Sequence, residues 1–137
     1  MTQLALPTAA DARPRRSVGR SAALAELNDV WETCRTDNWD GYGARAATVE
    51  ARAVAERLLR NIPDDLPNPS FGAESDGSLT MEWHHQPRWT LSVSIGGDDL
   101  LHYSALFGRN TESGTVEFLD AVPEAILRLA RRVCDGC

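Results

Sequence analysis

The apolar positions change period once along the chain, and that change divides it into a helical half and a sheet half. Leu24, Leu27, Trp31 and Cys34 recur every three or four residues, with Ala23 and Val30 beside them, which is the spacing of one buried helix face. Ser21 is a suitable N-cap for this first helix, since a hydroxyl there accepts a bond from a free first-turn N–H. Glu26, Asp29 and Glu32 take the wet side, and the helix is predicted to end before Asp37-Asn38-Trp39-Asp40-Gly41-Tyr42-Gly43, a run of turn formers. Thr48 caps a second helix with Ala51, Val54, Ala55, Leu58 and Ile62 as its buried stripe, stopped at Pro63. Residues 63–70 hold three prolines and read as a stiff connector.

Beyond the connector the period is two. A short strand around 70–75 leads to Asp76-Gly77, a hairpin signal. Leu79, Met81 and Trp83 then alternate with Thr80, Glu82 and His84, and Trp89, Leu91, Val93 and Ile95 alternate with Thr90, Ser92 and Ser94. After Gly96-Gly97-Asp98-Asp99, the apolar set is Leu101, Tyr103, Ala105 and Phe107. Residues 108–114 read as a polar loop, and Val116 and Phe118 as a short last strand. Pro123 suits the first turn of a closing helix packed through Ile126, Leu127, Leu129, Ala130 and Val133. The pattern predicts an α+β domain over residues 21–137: two N-terminal helices, an antiparallel four- to five-stranded meander with one wet face, and a C-terminal helix packed on one sheet face. Residues 1–20, with two prolines, four arginines and no apolar period, read as a disordered basic arm.

The chain is 137 residues long, 42% apolar and 25% charged, which suits one globular domain. Its net charge is −6, and the sign is unevenly placed. Residues 1–20 carry Arg13, Arg15, Arg16 and Arg20 against Asp11, while the rest carries ten arginines against nineteen carboxylates. So acidic a body argues against nucleic acid as a partner. No run of 18 apolar residues is present, which argues against a membrane span. Three cysteines make no disulfide framework, and Leu4, Ala5 and Leu6 precede the arginines instead of following them as in a signal peptide. The expected location is the cytoplasm.

Several motifs resemble known chemistry without completing it. Gly41-Tyr42-Gly43-Ala44-Arg45-Ala46 matches a dinucleotide fingerprint in letters, but a helix precedes it where that site needs a strand. Placed as a calcium loop, it puts Thr36 and Ala47 where the entry ligand and the bidentate carboxylate belong. Cys134-Asp135-Gly136-Cys137 follows a helix C-terminus, where the dipole disfavours thiolate. As half of a zinc site it lacks a second pair, because His84 and His85 are adjacent on a strand and should face opposite ways. No metal or cofactor is expected. His84, Glu82 and His102 share the polar sheet face and are the residues to suspect if the protein is a small hydrolase or nucleic-acid-processing enzyme, although no nucleophile elbow or oxyanion turn accompanies them.

Four tryptophans carry more information. Trp31, Trp83 and Trp89 fall on buried stripes, whereas Trp39 lies in the turn-forming segment beside Asp37, Asp40 and Tyr42. An aromatic pair edged with carboxylates has the composition of a protein-recognition patch, or of an anchor that pins its own loop. Asn38-Trp39-Asp40-Gly41-Tyr42-Gly43-Ala44, the later Asp76-Gly77-Ser78-Leu79-Thr80-Met81-Glu82-Trp83 hairpin, and Leu91-Ser92-Val93-Ser94-Ile95 resemble an uncharacterised family of small bacterial proteins with a WDGYGA segment, over roughly residues 21–134. That resemblance implies a small cytosolic protein accessory to another gene product; it implies no activity, cofactor or catalytic residue. The function expected is that of a non-enzymatic protein-binding module of antitoxin, phage-defence or anti-defence type. Trp39, Tyr42, Asp37 and Asp40 would cover a basic surface on its partner.

Overall fold

Thr48 caps the second helix as its hydroxyl chemistry predicts, accepting the Ala51 N–H at 3.0 Å. A computed structural model describes residues 8–135, and the side chains of residues 20–134. The helices are α1 (Thr8–Cys34), α2 (Val49–Arg60) and α3 (Glu124–Asp135), and the strands are β1 (Ser70–Ala73), β2 (Leu79–Gln86), β3 (Trp89–Ile95), β4 (Leu100–Phe107) and β5 (Asn110–Glu117). The strands form one antiparallel sheet in chain order. Helix α3 packs on β2, β3 and β4, α2 on β2 and β3, and α1 on α2 and β1. This is the α+β architecture expected, with the sheet complete at five strands.

Alternation decides which face the helices cover. Leu79, Met81, Leu91, Val93, Ile95 and Leu101 are fully buried, together with Leu58, Leu59, Ile126 and Leu129 from the helices and Phe118 just beyond β5. The stripe on α2 reads Ala51, Val54, Ala55, Leu58 and Leu59; Ile62 is buried just beyond the helix end. Cys34 lies in the core, and burial pushes its thiol pKa up. Trp83 is buried and donates its indole N–H to the Pro67 carbonyl at 2.9 Å, tying the proline-rich connector to the sheet. Trp31 and Trp89 are only half-buried. The Arg52 guanidinium stacks 5.7 Å from the centre of the Trp31 ring, and Trp89 meets Phe107 edge to face at 5.9 Å.

Three expectations are corrected. Helix α1 begins at Thr8, well before Ser21, so the segment predicted as a disordered arm is helical from Thr8 onward; alanine and arginine, abundant there, are strong helix formers. Residues 1–7 lie outside the described residues. Arg20 belongs to the body, donating to the carbonyls of Pro63 and Leu66 and to the Asn68 side chain. The polar segment 110–114 is the first part of β5 and not a loop. Gly108, at φ +65, makes a two-residue turn with Arg109, and an edge strand with a wet face can be polar without losing its ladder. Finally, a β-bulge between His84 and Gln86 interrupts the alternation at His85. Both histidines therefore line one hollow of about 460 Å³ with Asp65, Trp83 and Cys134. Cys137, the second thiol of the Cys134-Asp135-Gly136-Cys137 motif, lies outside the described residues.

Candidate functional site

The loop from α1 to α2 is organised by its own polar side chains. Asp40 Oδ1 accepts the Tyr42 N–H at 2.8 Å and the Ala44 N–H at 3.1 Å. Asn38, at φ +63, accepts the Gly43 N–H on its amide oxygen at 2.7 Å and donates its own N–H to the Ala44 carbonyl at 2.6 Å. Asp37 Oδ1 accepts the Ala46 N–H at 2.9 Å. The half-buried Trp39 indole donates to the Arg45 carbonyl at 3.0 Å and packs against the core. Gly41 and Gly43 supply the left-handed backbone, at φ +78 and +85, which side chains with a Cβ adopt at a cost.

The polar groups of Asp37, Asn38, Trp39 and Asp40 are thus spent on the backbone, while the Tyr42 ring projects. It is 93% exposed. The Tyr42 N–H, seconded by that of Ala44, holds the Asp40 carboxyl below the usual carboxylate range, so the loop keeps this negative charge at neutral pH. The loop in turn sits on the Asp76-Gly77 hairpin. Arg45 N–H donates to the Ser75 carbonyl at 2.8 Å and Thr48 N–H to the Gly77 carbonyl at 3.2 Å. Two motifs some thirty residues apart in sequence therefore form one structural joint.

Of the four residues expected to make a recognition patch, the structure brings all into this loop but gives them different work. Asp37, Asp40 and Trp39 hold the loop, and Tyr42 is presented by it. Asn38 and Arg45, which sequence reasoning did not single out, complete the frame. An asparagine ahead of Trp-Asp-Gly was the available signal, because asparagine tolerates the left-handed region better than other side chains.

The suspected catalytic set is not brought together. On the open sheet face, Ser70, Glu82, Ser92, Ser104 and Ser113 form one row across all five strands, and Gly72, Thr80, Ser94, His102 and Thr115 form the next. Glu82 accepts the Ser92 hydroxyl at 3.0 Å, while His102 Nδ1 pairs with the Thr115 hydroxyl at 2.9 Å. Strand spacing and rise put the Glu82 and His102 Cα atoms roughly 12 Å apart and those of His84 and His102 roughly 17 Å apart, too far for a shared proton path without intervening groups. An open concavity of about 410 Å³ lies over this face. Among the described residues no three His, Cys, Asp or Glu side chains converge on a metal position, and no helix is long and apolar enough to cross a membrane. No family model, curated protein or solved structure matches the chain.

Proposed function

We propose that this domain is a non-enzymatic protein-binding module that presents Tyr42 to a partner. The observation that carries this reading is an aromatic ring 93% exposed on a loop whose neighbouring N–H groups are bonded by Asp37, Asn38 and Asp40. The backbone beneath the ring is already fixed, so docking has to order little beyond the tyrosine side chain itself, and aromatic side chains on rigid supports are the usual anchors of protein interfaces. The carboxylates at its base and the acidic body favour a partner with a basic surface, which complementary charge would steer into place. The biological role proposed is accessory or inhibitory, of antitoxin, phage-defence or anti-defence type, acting by covering that surface.

The test is a nuclease-treated pull-down from the native host with the full chain and its Tyr42→Ala variant as parallel baits. A protein retained in stoichiometric amount by the first and lost by the second supports the reading. Equal retention by both baits removes Tyr42, and with it the proposed patch. Tyr42 is a cleaner probe than Trp39 or Asp40, whose replacement also releases the loop.

A further inference from the structure

The two edges of the sheet are treated differently. At the β1 edge, a strand of only four residues lies beside α1, and Glu26 of that helix accepts the Phe71 N–H at 3.1 Å. At the other edge β5 runs for eight residues and, among the described residues, pairs with β4 alone. Phe107 and Asn110 close a two-residue turn and form a hydrogen-bonded pair. Narrow and wide pairs alternate from there, so Thr111, Ser113 and Thr115 direct their N–H and C=O groups away from the molecule. The devices that usually blunt such an edge are a lysine, a proline, a bulge or an inward-pointing charge. Strand β5 has no lysine or proline, and its register with β4 is unbroken. Its inward charge, Glu112, is neutralised by Arg128 at 2.6 Å.

We infer that β5 is a self-association edge, at which a second copy of this chain adds its own β5 antiparallel about a two-fold axis through Ser113. This register is the one that charge selects. It sets Ser113 opposite Ser113 and Thr111 opposite Thr115, hydroxyl pairs that suit a cross-strand contact, and it brings Arg109 of each copy level with Glu117 of the other. Moving the register by two residues in either direction separates the arginine from the carboxylate. About six backbone hydrogen bonds would join the copies. The two-fold keeps all helices on one side, so the polar rows of Ser/Thr residues run on from one copy into the next. The inference is independent of the Tyr42 loop and goes beyond it.

Sedimentation equilibrium of the full chain, from about 1 to about 500 µM, tests the proposal. The expected result is a monomer–dimer equilibrium. Ser113→Pro removes an N–H that the monomer does not use, at an edge position where proline is tolerated, and should raise the dimer dissociation constant at least about tenfold. Arg109→Glu and Glu117→Arg should each weaken the dimer, and the double exchange should restore it, a result that holds even if the proline variant fails to fold. A wild-type chain that stays monomeric throughout overturns the proposal, and so does a dimer indifferent to the charge reversals. In the first case an edge left open for a strand of another protein would replace it.

Discussion

Replacing Tyr42 and replacing Trp39, three positions apart in one loop, should have opposite consequences for stability and binding. A tyrosine presents about 200 Å², and with 93% of it exposed truncation to alanine uncovers only some 15 Å². At about 25 cal/mol per Å² that is roughly 0.4 kcal/mol. Trp39 is half-buried against the core. Its truncation uncovers roughly 100 Å², about 2.5 kcal/mol, and leaves the Arg45 carbonyl without its 3.0 Å bond, worth about 1 kcal/mol more. Urea unfolding followed by circular dichroism should therefore give a Tyr42→Ala loss below about 0.5 kcal/mol and a Trp39→Ala loss of about 3.5 kcal/mol. Affinity for the captured partner should fall about thirtyfold or more in Tyr42→Ala, as for an interface anchor. A Tyr42→Ala loss above about 1 kcal/mol would show that the ring packs on the fold, and the division of labour in the loop would be wrong.

Other consequences follow from the same geometry. Gly97, at φ +95, would carry a Cβ 2.8 Å from that of Glu50 and 2.9 Å from the Ala51 nitrogen, whereas a Cβ on Gly41, at φ +78, meets nothing within 4 Å. Gly97→Ala should cost about 3 kcal/mol or more and Gly41→Ala about 1 kcal/mol, read as shifts in urea midpoint. The carboxyls of Asp40, Asp76 and Glu112 are held down, first by the Tyr42 N–H, the Ser78 N–H and the Arg128 guanidinium respectively. A depressed folded-state pKa means stability present above the unfolded value and lost as pH falls through the folded one. The guanidinium midpoint should therefore drop between about pH 5 and about pH 2, and Asp76→Asn should flatten that drop. Cys34 is buried with its thiol pKa raised, so alkylation should reach it only after unfolding, as peptide mass mapping would reveal. His102→Ala breaks only an exposed contact to Thr115 and should change stability by less than about 0.5 kcal/mol in the same urea assay.

The helix stripes and the strand alternation were legible because each is a local period, repeated over enough residues to outweigh a single misleading position. The start of α1 was not, since its first turns lack an apolar stripe and Pro14 argued against them. The first half of β5 carries no strand signal for a related reason. At the sheet edge only one side of the strand has a neighbour, so Asn110, Thr111 and Ser113 need no apolar period to hold their places. In the candidate site, the composition of Asp37–Tyr42 marked the segment out but did not show which of its residues bond backbone and which is exposed.

Sequence by itself determined the class of fold, the turns at Asp76-Gly77 and Gly96-Gly97, the cap at Thr48, and the acidity of the body. These rest on chain-local chemistry: the period of burial, the freedom of glycine, the reach of a hydroxyl, and a sum of charges. Only the tertiary structure decided that Asp37 and Asp40 bond backbone and leave Tyr42 exposed, that Glu82 and His102 sit in different rows, and that α1 covers one sheet edge while, among the described residues, β5 remains open. The last two depend on which distant segments meet, and the first on how a single loop closes on its own N–H groups. A carboxylate in a turn can face a partner or its own N–H groups, and the choice is made by how the chain folds back on itself.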